Sequence, residues 1–239
     1  MPILLSISLA GSYANASMLT VPQHNDKTYL VFAPQSLEHL VLALEDQNGK
    51  TIGSFNRWEK TLPKSQQLCF AMNAGMYHPD YQPVGLYIEN SSETHALNTE
   101  DGTGNFFMQP NGVLAWNTQK AIIQTTKNWQ KTNFKAAYAT QSGPMLVIDR
   151  QIMSKFIKDS DSRKIRNGVG IKNGQLYFVI SQQRVNFYEF AEFFQKGLGV
   201  EQALYLDGSI SSIYAPAIKR YDRAYKLGPM LGYIQLACE

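Results

Sequence analysis

The sequence has few cysteines, few histidines and no long apolar run, and each shortage excludes a class of protein. Two cysteines and four histidines among 239 residues match no HExxH or CxxC spacing, and no P-loop pattern occurs, so we expect no metal site and no cofactor. Lysines and arginines form no block and the net charge is only +3, which argues against a nucleic-acid partner. No apolar stretch is long enough to span a bilayer. A globular chain with a sizeable core remains, because 44% of the residues are hydrophobic.

The first sixteen residues, "MPILLSISLAGSYANA", carry no charged side chain. An apolar core from Ile3 to Ala10 precedes Ala14-Asn15-Ala16, a small-x-small pattern that is typical of a signal-peptide cleavage site. The sequence therefore predicts a signal peptide over residues 1–16, a mature domain over residues 17–239, and a periplasmic or secreted protein. Because a basic region before the apolar core is missing, a buried N-terminal strand is the alternative.

Cys69 and Cys238 are open to two interpretations. In an oxidising compartment they could pair, but neither their spacing nor their context requires it. Cys69 lies in the apolar run "LCFAM", which favours a small buried hydrophobic residue.

Short apolar runs separated by tight turns make up most of the chain after residue 27. Asn48-Gly49 and Asn173-Gly174 each lie between two such runs and indicate hairpins. The stretch "NFYEFAEFFQKGLGV" instead spaces its apolar residues with a helical period, and Asn186 with Glu189 matches a capping box. Weaker helical patterns cover residues 54–62 and 128–138. The predicted fold class is α+β, a single domain with a mixed, largely antiparallel sheet core and a few packed helices.

Four loops share a composition rich in Asn, Gly, Ser and Gln, and each lies at the end of an apolar strand. Binding and catalytic groups are often carried on strand-end loops of a rigid scaffold. We therefore expect these loops to contribute to a polar pocket. They are residues 73–85, 141–144, 165–170 and 206–212.

Two side chains in these loops carry chemistry. Arg166 has a planar guanidinium that suits phosphate or carboxylate oxygens; the alternative is a surface arginine or an internal ion pair. Asp207 follows the apolar run "ALYL" and can act as a base, a nucleophile or a hydrogen-bond acceptor. Its alternative is a turn residue that caps its own backbone. The residues alone neither choose between these interpretations nor name a reaction.

The same loops resemble those of the phosphodiester glycosidase family. The resemblance implies a hydrolase that cleaves the glycosidic bond of a sugar-1-phosphodiester, either a small molecule or a glycan, in the cell envelope and releases free sugar. Arg166 would then bind the phosphate, and Asp207 would stabilise an oxocarbenium-like transition state, activate water or attack directly. The motifs that carry the resemblance occur in the family's order across roughly residues 60–235 and are "NAGMY", "PVGLYI", "NGVL", "SGPMLV", "RNGVGI" and "LYLDGSISS".

The remaining site residues that the resemblance implies would supply hydrogen bonds or let the backbone approach the substrate closely. The chain departs from the family pattern at Ala74 and Asn167, which stand where the family has glycine and threonine, and at Ser209 and Ile210, which stand where it has glycine. We expect Ser209 and Ile210 to give this protein a sugar preference that differs from that of other family members. The implied substrate-binding residues are Asn73, Gly75, Tyr77, Ser142, Gly143, Asn167, Gly168, Gly208, Ser211 and Ser212.

The sequence does not single out a second catalytic group. His78 follows the first loop, where it can serve as an acid or base or lie exposed. Two other functions stay open: a non-catalytic glycan-binding protein of the cell envelope, favoured by the Ser209-Ile210 departure, and a phosphodiesterase that cuts on the phosphate side. The available carboxylates are Asp80, Glu89, Asp101 and Asp161.

Overall fold

A computed structural model describes residues 17–238, so the signal peptide predicted for residues 1–16 lies outside the described residues. The helices are α1 (Phe55–Thr61), α2 (Thr126–Trp129) and α3 (Phe187–Glu192), with a π-helix over Phe193–Leu198 and a 3₁₀ turn over Pro216–Ile218. The strands are β1 (Leu19–Thr20), β2 (Gln23–His24), β3 (Lys27–Phe32), β4 (Leu40–Ala43), β5 (Gln67–Asn73), β6 (Tyr87–Glu89), β7 (Ser92–His95), β8 (Gly112–Trp116), β9 (Ala121–Thr125), β10 (Tyr138–Ser142), β11 (Met145–Ile148), β12 (Gln151–Ile152), β13 (Asn167–Lys172), β14 (Gln175–Ser181), β15 (Gln202–Asp207), β16 (Ile213–Ala215), β17 (Arg220–Tyr221) and β18 (Met230–Gln235).

The strands form three sheets, and the strand pairs of the described chain are antiparallel. The first sheet has eight strands, with the path β1-β3-β14-β13-β15-β11-β12 and β2 paired to β3. The second sheet has the order β7-β6-β10-β8-β9, and the third has the order β17-β16-β5-β18-β4. The predicted α+β class with a largely antiparallel sheet core is confirmed.

The main hydrophobic core lies where the three sheets meet. It includes Phe178 from the first sheet, Trp116 from the second and Tyr233 from the third, all fully buried. Each buried side chain of this size removes a large apolar area from water, at roughly 25 cal/mol per Å². The shared core therefore holds the ends of strands from different sheets in a fixed arrangement.

Strand β15 lies inside the first sheet and is covered on both faces. Leu204 and Leu206 pack into the main core, whereas Ala203 and Tyr205 pack on the opposite face against the cluster around α3. Burial on both faces explains why this strand is an unbroken apolar run rather than an alternating one. Hydrogen-bonded to β13 on one side and β11 on the other, β15 is a rigid support for its last residue, Asp207.

Two of the three predicted helices are present and one is not. The capping box of Asn186 and Glu189 is present in full, and α3 continues into the π-helix, which ends at Gly199 in the left-handed conformation. Helix α1, capped by Ser54, confirms the pattern over residues 54–62. The helix expected over residues 128–138 is wrong, because α2 ends at Trp129 and the segment beyond it leads into β10, which pairs with β8.

Among the predicted turns, Asn173-Gly174 joins β13 to β14 as expected. The Asn48-Gly49 turn closes only the single bridge between Glu45 and Thr51. None of the helices in the described part of the chain is both long and apolar enough to cross a membrane.

The interpretation of Cys69 as a buried hydrophobic residue is wrong, because Cys69 forms a disulfide with Cys238, 169 residues away in sequence. Gln67 and Gln235 are partners in the β5–β18 pair. This pairing brings the two cysteines together, since one lies just inside β5 and the other just beyond β18.

Candidate active site

Asp207 is the last residue of β15, and the turn that follows holds its side chain. Its Oδ1 accepts hydrogen bonds from the backbone N–H groups of Gly208 and, at 2.8 Å, of Ser209. Burial raises the pKa of Asp207 above its ordinary value, while the turn's N–H groups and the positive charge of Lys164 oppose that rise. The outcome is a fixed carboxylate that is more basic than a solvent-exposed one.

Buried polar side chains from the other loops join the Asp207 turn. Asn167 is the Cα partner of Asp207, and its Nδ2 donates to the O and Oδ1 atoms of Asn73, both at 3.0 Å. The N–H of Ser212 donates to the same Asn73 Oδ1 at 2.9 Å, and Ser211 Oγ donates to the Asp207 carbonyl at 2.8 Å. These side chains therefore support the turn that carries Asp207, and their contact with substrate stays a prediction.

The loop at residues 141–144 and several glycines pack closely around this network. Ser142 Oγ donates to a carbonyl oxygen of β15 at 3.1 Å. A Cβ on Gly168 would lie 2.8 Å from another carbonyl oxygen of β15, and one on Gly143 would lie 2.7 Å from Asn111 Cβ. Gly75 has a φ of +76°, which side chains rarely allow. The four predicted loops therefore meet at one place, and the glycines are needed for the contacts between them.

Arg166 lies buried beside the Asp207 turn, with 1% of its surface exposed. Its Nε and Nη2 donate to the carbonyl oxygens of Val185 and Ser162, each at 2.9 Å, and its Nη1 donates to the Tyr205 hydroxyl at 3.0 Å. A Cβ on Gly208 would overlap that hydroxyl, so Arg166 and Tyr205 together support the turn. These bonds use three of the five guanidinium N–H donors, and direct contact between Arg166 and a phosphate stays a prediction.

Tyr77 lies close to Asp207 on the side of the first loop. Its hydroxyl donates to the Lys226 carbonyl at 2.9 Å, and its ring packs tightly against Gly228. Burial, followed by the negative charge of Asp207, raises the pKa of Tyr77 to about 12. Tyr77 is therefore neutral at physiological pH, and with Tyr81, whose ring centroid is 5.9 Å away, it offers an aromatic surface beside the carboxylate.

A pocket of about 360 Å³ borders the same turn. Part of its wall is the turn itself, through Gly208, Ser209 and Ser211. The cations of this pocket were not predicted as site residues because they come from separate segments of the chain. One of them, Lys164, lies only two residues before Arg166. We call it the basic pocket. The charged and aromatic side chains that line it are Arg163, Lys164, Arg184, Arg220 and Tyr225.

The candidates for a second catalytic group are less well placed. Glu89 accepts a hydrogen bond from the Tyr87 hydroxyl at 2.7 Å and lines a separate cleft with Glu45 and Asp46. Burial raises the pKa of Glu89. His78 begins a tight turn, in which its backbone N–H donates to the Gln82 carbonyl and its carbonyl accepts from the Tyr81 N–H, both at 2.8 Å. Within residues 17–238, no group of three or more His, Cys, Asp or Glu side chains is placed to hold a metal ion.

The chain matches one protein family and a bacterial relative. The family model described as phosphodiester glycosidase matches residues 66–225. The uncharacterised protein YigE of Escherichia coli (strain K12) is 39% identical over 216 residues, which cover 89% of this chain and 84% of YigE.

Three solved structures share the fold. The catalytic domain of zebrafish N-acetylglucosamine-1-phosphodiester alpha-N-acetylglucosaminidase, auto-inhibited by its pro-peptide, has a TM-score of 0.62 at 11% identity and covers 92% of this chain and 85% of that one. A hypothetical protein from Synechocystis has a TM-score of 0.55 at 13% identity, covering 90% and 61%. A protein described as exported, from Burkholderia pseudomallei, has a TM-score of 0.51 at 11% identity, covering 86% and 73%. At these identities the likeness concerns the fold alone.

Proposed function

This chain belongs to the phosphodiester glycosidase family, and from that membership we propose that it hydrolyses the glycosidic bond of a sugar-1-phosphodiester and releases free sugar. The observation that carries the proposal is the position of Asp207. Its carboxylate lies at the end of a central strand, is held by backbone N–H groups, and adjoins both an aromatic surface and a basic pocket.

The proposed reaction needs one carboxylate near the anomeric carbon. As the bond from that carbon to the phosphate oxygen breaks, positive charge develops on the sugar, and the Asp207 carboxylate stabilises it. The bonding electrons go to the phosphate oxygen, and a water molecule supplies the hydroxyl group that the sugar gains and releases its other proton to the solvent. Because a phosphate monoester is already a good leaving group, the reaction has less need of the second carboxylic acid found in ordinary glycosidases.

We further propose that the protein acts in the cell envelope. The disulfide between Cys69 and Cys238 supports this location, because structural disulfides form and persist mainly in oxidising compartments. The signal peptide predicted over residues 1–16 agrees with the same location.

The proposal is tested by incubating the purified protein with a panel of sugar-1-(methyl phosphate) diesters in ¹⁸O-labelled water. We expect free sugar that carries the ¹⁸O label, together with unlabelled methyl phosphate. We also expect Asp207→Asn to lower kcat by at least about 100-fold, as loss of a group that stabilises transition-state charge typically does. The matched control is Asp149→Asn, because Asp149 binds Gln202 at the opposite end of the same strand. The activity of this variant should equal that of the wild type.

Other results would assign another function. Label in the phosphate would identify a phosphodiesterase. Binding of the diesters in calorimetry without turnover would identify a glycan-binding protein, the function that the Ser209-Ile210 departure favours. Full activity of Asp207→Asn would refute the role of Asp207.

A further inference from the structure

The basic pocket carries more positive charge than the protein itself neutralises. Two of its cations have carboxylate partners: Arg163 bonds Glu189 at 2.7 Å, and Arg220 bonds Asp222 at 3.0 Å. The ion pairs of residues 17–238 include neither Lys164 nor Arg184. No acidic side chain is among the residues that line the pocket. Two cations outside any ion pair therefore line one small pocket, and the negative charge that interacts with one of them, Lys164, is that of Asp207.

The backbone brings these two cations together. Lys164 and Val185 exchange both of their backbone hydrogen bonds, at 3.0 and 2.9 Å, which places Arg184, the residue before Val185, beside Lys164. Both side chains line the same pocket although they lie on different segments of the chain. Because the bridge that pairs the segments is short and tight, the two cations are held at the pocket by the fold rather than by each other.

Ser209 links the cations to the Asp207 turn. The Lys164 ammonium donates to Ser209 Oγ at 3.5 Å, so the hydroxyl acts as an acceptor there and its own proton is available to an anion. Ser209 is also the residue that replaces a family glycine. The departure therefore adds a hydrogen-bond donor to the wall of the basic pocket.

We propose that the basic pocket binds the phosphate group of the substrate, with Lys164 and Arg184 as its cationic ligands and Ser209 as a hydrogen-bond donor. This inference rests on the proposed function for its role in catalysis. The pocket is lined by Gly208 and Ser209, the residues that directly follow Asp207, so a phosphate bound there would lie close to the sugar whose anomeric carbon the carboxylate is proposed to face. Its volume of about 360 Å³ suits a phosphate with a small substituent.

The charge of the pocket fits the course of the reaction. A phosphodiester carries one negative charge. When the bond from the anomeric carbon to the phosphate oxygen breaks, that oxygen keeps the electron pair and the leaving phosphate monoester gains a second negative charge. Two cations outside any ion pair match this product-like state better than the starting diester, and interactions that strengthen towards the transition state are the ones that accelerate a reaction.

The test measures binding of inorganic phosphate to the whole protein by calorimetry at low salt. We expect the wild type to bind phosphate and the double variant Lys164→Gln/Arg184→Gln to bind it at least about tenfold more weakly, since charge-assisted hydrogen bonds are stronger than neutral ones. The control Arg150→Gln also removes one exposed cation, but that arginine pairs with Glu201 away from the pocket, and its phosphate affinity should match the wild type. Circular dichroism confirms that each variant is folded.

Three results would overturn the inference: no phosphate binding by the wild type, unchanged affinity in the double variant, or equal competition by acetate, which would indicate a patch that attracts any anion. Asp207→Asn separates this inference from the proposed function. If turnover depends on Asp207 but the double variant binds phosphate as tightly as the wild type, the inference about the pocket is refuted and the proposed function is not. Pocket-dependent binding with no turnover of any diester refutes the proposed hydrolysis and leaves the phosphate site standing.

Discussion

The Asp207 carboxylate is subject to two opposing effects. Burial at the end of β15 raises its pKa, whereas N–H groups of the turn and the charge of Lys164 lower it. The turn-capping role and the catalytic role considered for Asp207 are compatible, because the same Oδ1 that accepts from Gly208 and Ser209 belongs to the carboxylate that would face the sugar. Capping fixes the carboxylate in position, which is what a catalytic group requires.

Substitution of Asp207 is expected to change activity and stability in opposite directions. The folded-state pKa lies above the unfolded one, so the folded state favours the protonated acid, and ionisation costs stability as the pH rises from the unfolded pKa through the folded pKa. Asp207→Asn should therefore raise the free energy of unfolding relative to the wild type at pH 7 more than at pH 4. Urea denaturation at both pH values measures this difference.

The control for that experiment is again Asp149→Asn. Its effect on the free energy of unfolding should be small and similar at the two pH values. A larger stabilisation by Asp207→Asn at pH 4 than at pH 7 would contradict the raised pKa.

At the scale of single elements, helix α3 connects the core to the basic pocket. Its N-cap Asn186 accepts from the Glu189 N–H at 2.9 Å and donates through Nδ2 to the carbonyl oxygens of Lys158 and Ser160. Glu189 in turn pairs with Arg163 at the pocket. The start of the helix therefore positions the segment that leads to Lys164.

Loss of this cap should destabilise the protein measurably. Asn186→Ala removes the cap and leaves the part-buried carbonyl oxygens of Lys158 and Ser160 without this donor, so we expect a loss of about 1–3 kcal/mol in the free energy of unfolding. Asn186→Ser keeps a capping hydroxyl but is too short to reach those carbonyls, and it should fall between the wild type and Asn186→Ala. Thermal or urea denaturation gives the order. Equal stability of all three proteins would show that the cap contributes nothing.

At the scale of the whole molecule, the disulfide and the active site lie at opposite ends of the same strand pair. Cys69 and Cys238 lie near the Gln67–Gln235 end of β5 and β18, whereas Asn73, beside Asp207, pairs with Met230 at the other end. Cys69 lies four residues before Asn73 in β5, a separation of about 13 Å at the usual rise per residue. At such a distance we expect the disulfide to stabilise the fold without changing the geometry of the active site.

Removal of the disulfide should therefore lower stability and spare the chemistry. We expect Cys69→Ser/Cys238→Ser to reduce the free energy of unfolding by roughly 2–5 kcal/mol, the usual range for a native disulfide that closes a long loop. Phosphate affinity and turnover at 25 °C should match the wild type as long as the variant is folded. A folded variant with altered turnover would show that the disulfide also shapes the active site.

The sequence by itself determined the features that depend on neighbouring residues. The α+β class, the Asn173-Gly174 hairpin and the Asn186–Glu189 cap follow from periodicity and local backbone preference, which act over a few residues. The motif order also led to the four loops that meet at Asp207 and to the family.

Only the tertiary structure decided the features that depend on residues far apart in the chain. It placed Cys238 against Cys69, buried Arg166 among carbonyl oxygens and the Tyr205 hydroxyl, and ended α2 at Trp129, so that residues 130–137 lead into β10 instead of continuing the helix. It also assembled Lys164, Arg184 and Ser209 into one pocket. The physical reason is the same in each case: long-range pairing and burial determine which groups meet and which stay exposed, and no spacing within a single segment records them.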